Sequence, residues 1–230
     1  MLSTPPRVPR LTLLWGGAGI VVATALPLLW EATISLGGAL LWRPSYAWPQ
    51  VALALSAVVL LGAFIVLSVG IGTESGIVGA SRVGKFSLIA FPAATVVAYA
   101  LDFSSLSLLS HLPRSVYDGT GQPDQHVLIT VTRAYQGIAF LGVIGLVVGS
   151  IFVARAGIVR GVVRWGLLAL ALVTIVVDVA QQTPAIPALW LFRWGALAVP
   201  LIQLAVGVLF IVQARAERSA ALARSVANAT

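Results

Sequence analysis

Six long apolar runs, separated by short polar stretches, dominate the chain. They cover Leu11–Trp30, Val51–Gly72, Phe86–Leu109, Ala134–Val153, Trp165–Gln182 and Leu189–Val212. A helix needs about 20 mainly apolar residues to cross the ~30 Å hydrocarbon core of a bilayer. Each run is of that order. Backbone groups in lipid must bond within their own segment, and the runs lack the alternation of an outer-membrane barrel strand. The pattern therefore predicts an all-α, polytopic membrane bundle of six transmembrane helices in a single domain spanning residues 1–230. A cytoplasmic tail over 213–230, rich in Ala and Arg, should extend the sixth helix before fraying.

Composition agrees with the pattern. Hydrophobic residues make up 59% of the 230 positions and charged residues 9%, against about 25% charged in a soluble domain. The charges are also sorted. One set of loops and both termini hold Arg7, Arg10, Arg82, Lys85, Arg155, Arg160, Arg164, Arg215, Arg218 and Arg224 against Glu74 and Glu217, a net +8. The other set holds Arg43, Arg114, Arg133 and Arg193 against Glu31, Asp102, Asp118, Asp124 and Asp178, a net −1. Basic loops stay in the cytoplasm, so both termini are expected there, in the cell membrane. Arg7, Arg10 and the Ala23-Thr24-Ala25 segment have the outline of a cleavable signal. The apolar run continues past it to Trp30, which favours a retained span.

Several function classes drop out. With no cysteine the chain has no disulfide framework, thiolate metal site or thiol nucleophile. Its basic residues stand singly at the ends of apolar runs, so nucleic acid is not an expected partner. His111 and His126, with Asp118 and Asp124, share the outer loop of residues 110–132, but their spacing matches no metal site. Gly79-Ala80-Ser81 lacks the second glycine of a nucleophile elbow. No cofactor and no metal is expected, and catalysis is the less favoured class. The outer loop, with Pro113, Gly119, Gly121 and Pro123, reads as an irregular cap.

Charged residues within spans raise a functional question by default. Asp178 and Asp102 lie in the fifth and third runs, Glu31 ends the first, Arg133 opens the fourth, and Arg193 and Gln203 belong to the sixth. All are expected in the outer third, as interhelical ion pairs or as the lining of an outward-facing pocket. Gly145 and Gly149 have the spacing that lets helices approach closely. Leu61-Gly62 with Gly76-Ile77-Val78 parallels Leu141-Gly142 with Gly157-Ile158-Val159. The register between glycine and the following acid drifts, so shared composition explains the similarity best.

Arg164-Trp165-Gly166 and Arg193-Trp194-Gly195 open successive helices. In this layout the last hundred or so residues resemble bacterial six-helix integral membrane proteins of unknown function. The resemblance implies a six-span fold and transfers no activity. The expected role is a non-enzymatic membrane subunit or scaffold, in contact with the lipid bilayer and with another membrane protein or a second copy. The alternative is a small transporter or binding protein with an outward-facing polar pocket.

Overall fold

The computed structural model describes residues 8–37, 47–109, 125–182 and 188–227. Six helices account for nearly all of them: α1 (Arg10–Gly37), α2 (Ala47–Val69), α3 (Arg82–Leu109), α4 (Gln125–Ala156), α5 (Val163–Gln182) and α6 (Ala188–Ala227). Each contains a stretch long and apolar enough to cross a membrane. Each helix packs against its neighbours in sequence, and α6 returns onto α1, so the six close into a ring. The end where α1 begins and α6 leaves carries the arginine-rich loops and is called the basic end below.

Helix limits depart from the apolar runs for identifiable reasons. α2 stops at Val69 rather than Gly72 because Gly70 takes a φ of +96°, in the left-handed region that ends helices. α1 continues past Glu31 to Gly37, so Glu31 is inside the helix and does not end it. α4 starts at Gln125, well before Ala134, because Val127-Leu128-Ile129 extends the apolar periodicity into the expected outer cap. The rest of that cap, and the aromatic stretch 38–46, lie outside the described residues. Pro27, Pro92 and Pro200 are inside α1, α3 and α6.

Glycine sets the closest seams. A Cβ at Gly17 would sit 2.7 Å from the Gly207 carbonyl oxygen, and one at Gly207 would sit 2.9 Å from that of Gly17. On the α3–α4 seam, Gly142, Gly145 and Gly149 lie against Ala94, Ala90 and Leu88. These small residues are used within the chain, where they let backbones approach and dispersion contacts multiply.

Two loops close the basic end. In the α2–α3 connection, Ile77 folds back and donates its N–H to the Leu67 carbonyl at 2.8 Å. Ile77 and Val78 are buried there, as are Ile158 and Val159 in the α4–α5 connection. Gly79 and Gly161, both at positive φ, turn the chain out again, and Gly79 faces the Ile158 side chain. The paired Gly-Ile-Val segments noted in the sequence thus do one job, as two halves of an apolar plug. Ser81 caps α3: its Oγ accepts the Gly84 N–H at 3.1 Å.

The opposite end is different. Where burial is described there, at 25–29 of α1, 51–56 of α2, 130, 133–134 and 136–141 of α4 and 175–180 of α5, no position is buried. On α3, Ala98 is the buried position among 93–101, and on α6 no position from Leu197 to Ala205 is buried. The ring is close-packed and plugged at the basic end, and the positions toward the far end whose burial is described are mostly partly accessible or exposed.

Candidate functional site

Which side of each helix faces the ring follows from its exposure pattern. On α6, Leu201, Ala205, Val208 and Val212 form the exposed stripe. Gln203 lies on the other side, in the line Gln203, Gly207, Phe210, Ala214, of which the last three are buried. Residues spaced by three and four share one helix face. On α5, Trp165, Leu172, Val176 and Val179 are exposed, whereas Asp178 continues the buried line Leu167, Ala171, Thr174. Both polar side chains therefore stand on inward faces.

Both are nevertheless partly accessible. Among the described residues Gln203 has no hydrogen-bond partner and Asp178 no ion-pair partner. Their neighbours differ in this respect. The hydroxyls of Thr24, Thr95, Ser150 and Thr174 each donate to the carbonyl one turn earlier, at 2.6–3.0 Å. These hydroxyls are satisfied within their own helices and are committed to structure. An amide with no protein partner on an otherwise buried face is stable only where water or a ligand reaches it.

The seams fix the relative depth of the remaining candidates. Gly166 lies against Val206, so in this antiparallel pair Asp178 is level with Trp194, next to Arg193, within about one turn. The Gly17–Gly207 crossing places Glu31 at that same level on the other neighbour of α6. The Gly142–Ala94 contact brings Asp102 level with Arg133. Asp178, Arg193 and Glu31 therefore share one backbone level, Asp102 and Arg133 are level with each other, and Gln203 is about 14 Å deeper than Asp178 at 1.5 Å per residue. Arg133 is exposed and shares its side of α4 with Gly137, Phe140 and Ile144, away from the ring interior. The side chains of Glu31, Asp102, Arg193 and His126 are outside those described, as are His111, Asp118 and Asp124.

Sequence reasoning missed the role of Glu74. Its carboxylate accepts the Thr12 N–H at 2.8 Å, and the Thr12 hydroxyl accepts the Ile71 N–H at 3.2 Å. The signal was present: Pro9, whose carbonyl accepts the first helical bond from Leu13, has no side chain able to cap α1. No acidic residue occupies the first turn either, so the positive helix end must find its anion elsewhere.

No family model matches the chain, and neither does any curated protein or solved structure.

Proposed function

We propose that this is a multi-pass protein of the plasma membrane, with both termini cytoplasmic, that takes up a small polar molecule in a vestibule opening outward. It acts as a binding protein or small transporter. The orientation rests on the +8 against −1 charge division. The observation that carries the functional reading is Gln203: inward-facing, level with the middle of the ring, accessible, and with no partner among the described residues. The plugged basic end makes the vestibule blind on the cytoplasmic side. The helix segments toward the far end carry three acidic positions, Glu31, Asp102 and Asp178, with Arg193 and the outward-turned Arg133. That balance favours a cationic or zwitterionic molecule over an anion.

The test compares stability with accessibility. Asp178→Asn and Gln203→Leu should leave thermal unfolding in mild detergent nearly unchanged, because neither side chain loses a bonded partner. A structural pairing of Asp178 with Arg193 predicts instead a marked loss for Asp178→Asn, restored in Asp178→Asn/Arg193→Gln, and that outcome would remove the vestibule reading.

A second reading, the membrane subunit or scaffold, is favoured by one observation. α6 runs about 20 Å past the bundle at 1.5 Å per residue, and Leu222 and Val226 are exposed one turn apart near its end. It predicts a complex or oligomer in mild detergent; a monodisperse monomer would count against it.

A further inference from the structure

The mouth of the α4–α5 seam at the basic end combines charge and apolar surface in an order that matches a phospholipid. Arg155 closes α4, Arg160 lies in the connecting loop and Arg164 sits in the first turn of α5. Among the described residues none of the three has a carboxylate partner. Of the two acids at this end, Glu74 is engaged by Thr12 on α1 and Glu217 is on α6. Arg164 lays its guanidinium over the Trp165 ring, 5.2 Å from its centroid. Its Nε is buried without an acceptor. The first turn of α5 contains no acidic residue, so the positive end of the helix adds to the field of the arginines.

Directly below the charges the surface becomes apolar. Ile151 stands one turn before Arg155 on the exposed side of α4, and Leu172 lies two turns beyond Trp165 on the exposed side of α5. Trp165 itself is 51% exposed, a position suited to the interfacial zone of a bilayer. Charge, then an interfacial aromatic ring, then aliphatic surface is an order that complements an anionic headgroup followed by its acyl chains. Basic pockets between spanning helices on the cytoplasmic side bind such headgroups.

We infer that the α4–α5 mouth retains an anionic phospholipid, its phosphate held by Arg155, Arg160 and Arg164 and its acyl chain along Ile151 and Leu172. This rests on the membrane placement and orientation proposed above but not on the vestibule. Two charges removed from such a surface should weaken retention roughly ten- to thirtyfold.

The full-length protein, purified in mild detergent and exchanged into nanodiscs of mixed phosphatidylglycerol and phosphatidylcholine, would be analysed for bound lipid by native mass spectrometry. Wild type should retain phosphatidylglycerol in preference to phosphatidylcholine. Arg160→Gln/Arg164→Gln should lose that preference, Arg160→Lys/Arg164→Lys should keep part of it, and Arg133→Gln at the far end should match wild type. Equal retention of both lipids by wild type would overturn the inference. So would an unchanged preference in the double glutamine variant, or displacement by millimolar inorganic phosphate, which would indicate a site for a soluble anion. Sodium carbonate extraction reports membrane insertion separately, so failure of one is distinguishable from failure of the other.

Discussion

Glu74 and Thr12, sixty-two residues apart, are joined by a 2.8 Å hydrogen bond from the Thr12 backbone N–H to the Glu74 carboxylate. Thr12 is the third residue of α1, where a capping side chain from the residue before the helix normally bonds. The α2–α3 loop supplies that cap from outside, and the Thr12 hydroxyl returns the contact by accepting the Ile71 N–H. One bond therefore ends a helix and pins the loop whose Ile77 plugs the bundle. Glu74→Ala should destabilise the protein by about 1.5–3 kcal/mol, the range for a hydrogen bond to a charged group. Glu74→Gln keeps an acceptor and should cost less. Thermal or denaturant unfolding in detergent measures both, and an unchanged Glu74→Ala midpoint would argue that the loop is held by its apolar contacts alone.

The glycine seams separate crowded positions from open ones. Gly17→Ala and Gly207→Ala push a methyl group against a backbone carbonyl on the opposite helix, which cannot rotate away. Each should cost about 1–3 kcal/mol through overpacking. Gly145→Ala should behave alike, since its Cβ would meet the Ala90 methyl and the Ser87 carbonyl oxygen, both at 2.8 Å. Gly62→Ala and Gly137→Ala meet nothing within 4 Å and should be neutral or stabilising by up to about 1 kcal/mol from helix propensity. Equal effects at all five positions would contradict the packing described.

The plug should be strong and cooperative. Ile77→Ala and Ile158→Ala each leave a cavity in a buried cluster and should cost about 2–5 kcal/mol. Because the two loops meet at Gly79 and Ile158, the double variant should deviate from additivity by more than about 0.5 kcal/mol. Strict additivity would mean that the loops close the end independently.

Six helices were legible in the sequence because length and uniform apolarity are the signal a spanning helix must carry. Counting residues from the basic loops puts Glu31, Asp102, Asp178 and Arg193 toward the far end. Facing was not legible. Gln203 and Arg133 looked equivalent as polar residues in apolar runs, yet one continues the buried line of Phe210 while the other lies on the exposed side of α4. When apolar residues occupy all sides of a helix, no periodicity distinguishes lipid from ring interior. Glu74 was hidden for another reason: a cap delivered across sixty-two residues leaves no local motif. Gly76-Ile77-Val78 and Gly157-Ile158-Val159 were visible as similar words, but only the fold shows that they meet.

Orientation yields a direct prediction. A fluorescent protein fused after Thr230 should fold and fluoresce, and alkaline phosphatase at the same point should be inactive, because that enzyme matures only outside the cytoplasm. Active phosphatase would reverse the proposed sidedness. Replacing Arg155, Arg160 and Arg164 together by Gln should weaken the topological bias, seen as mixed reporter activity.

The proposed vestibule, open outward and sealed inward, can be probed on a thiol-free background because the chain lacks cysteine. Single cysteines at Gln203 and Asp178 should react with a membrane-impermeant maleimide added from outside. Cysteines at Leu67 and Ala214, both buried near the plugged end, should stay unreactive from either side in the folded protein. If Gln203→Cys is inert from outside, or reacts only when the reagent is supplied from the cytoplasm, the outward-facing vestibule is wrong.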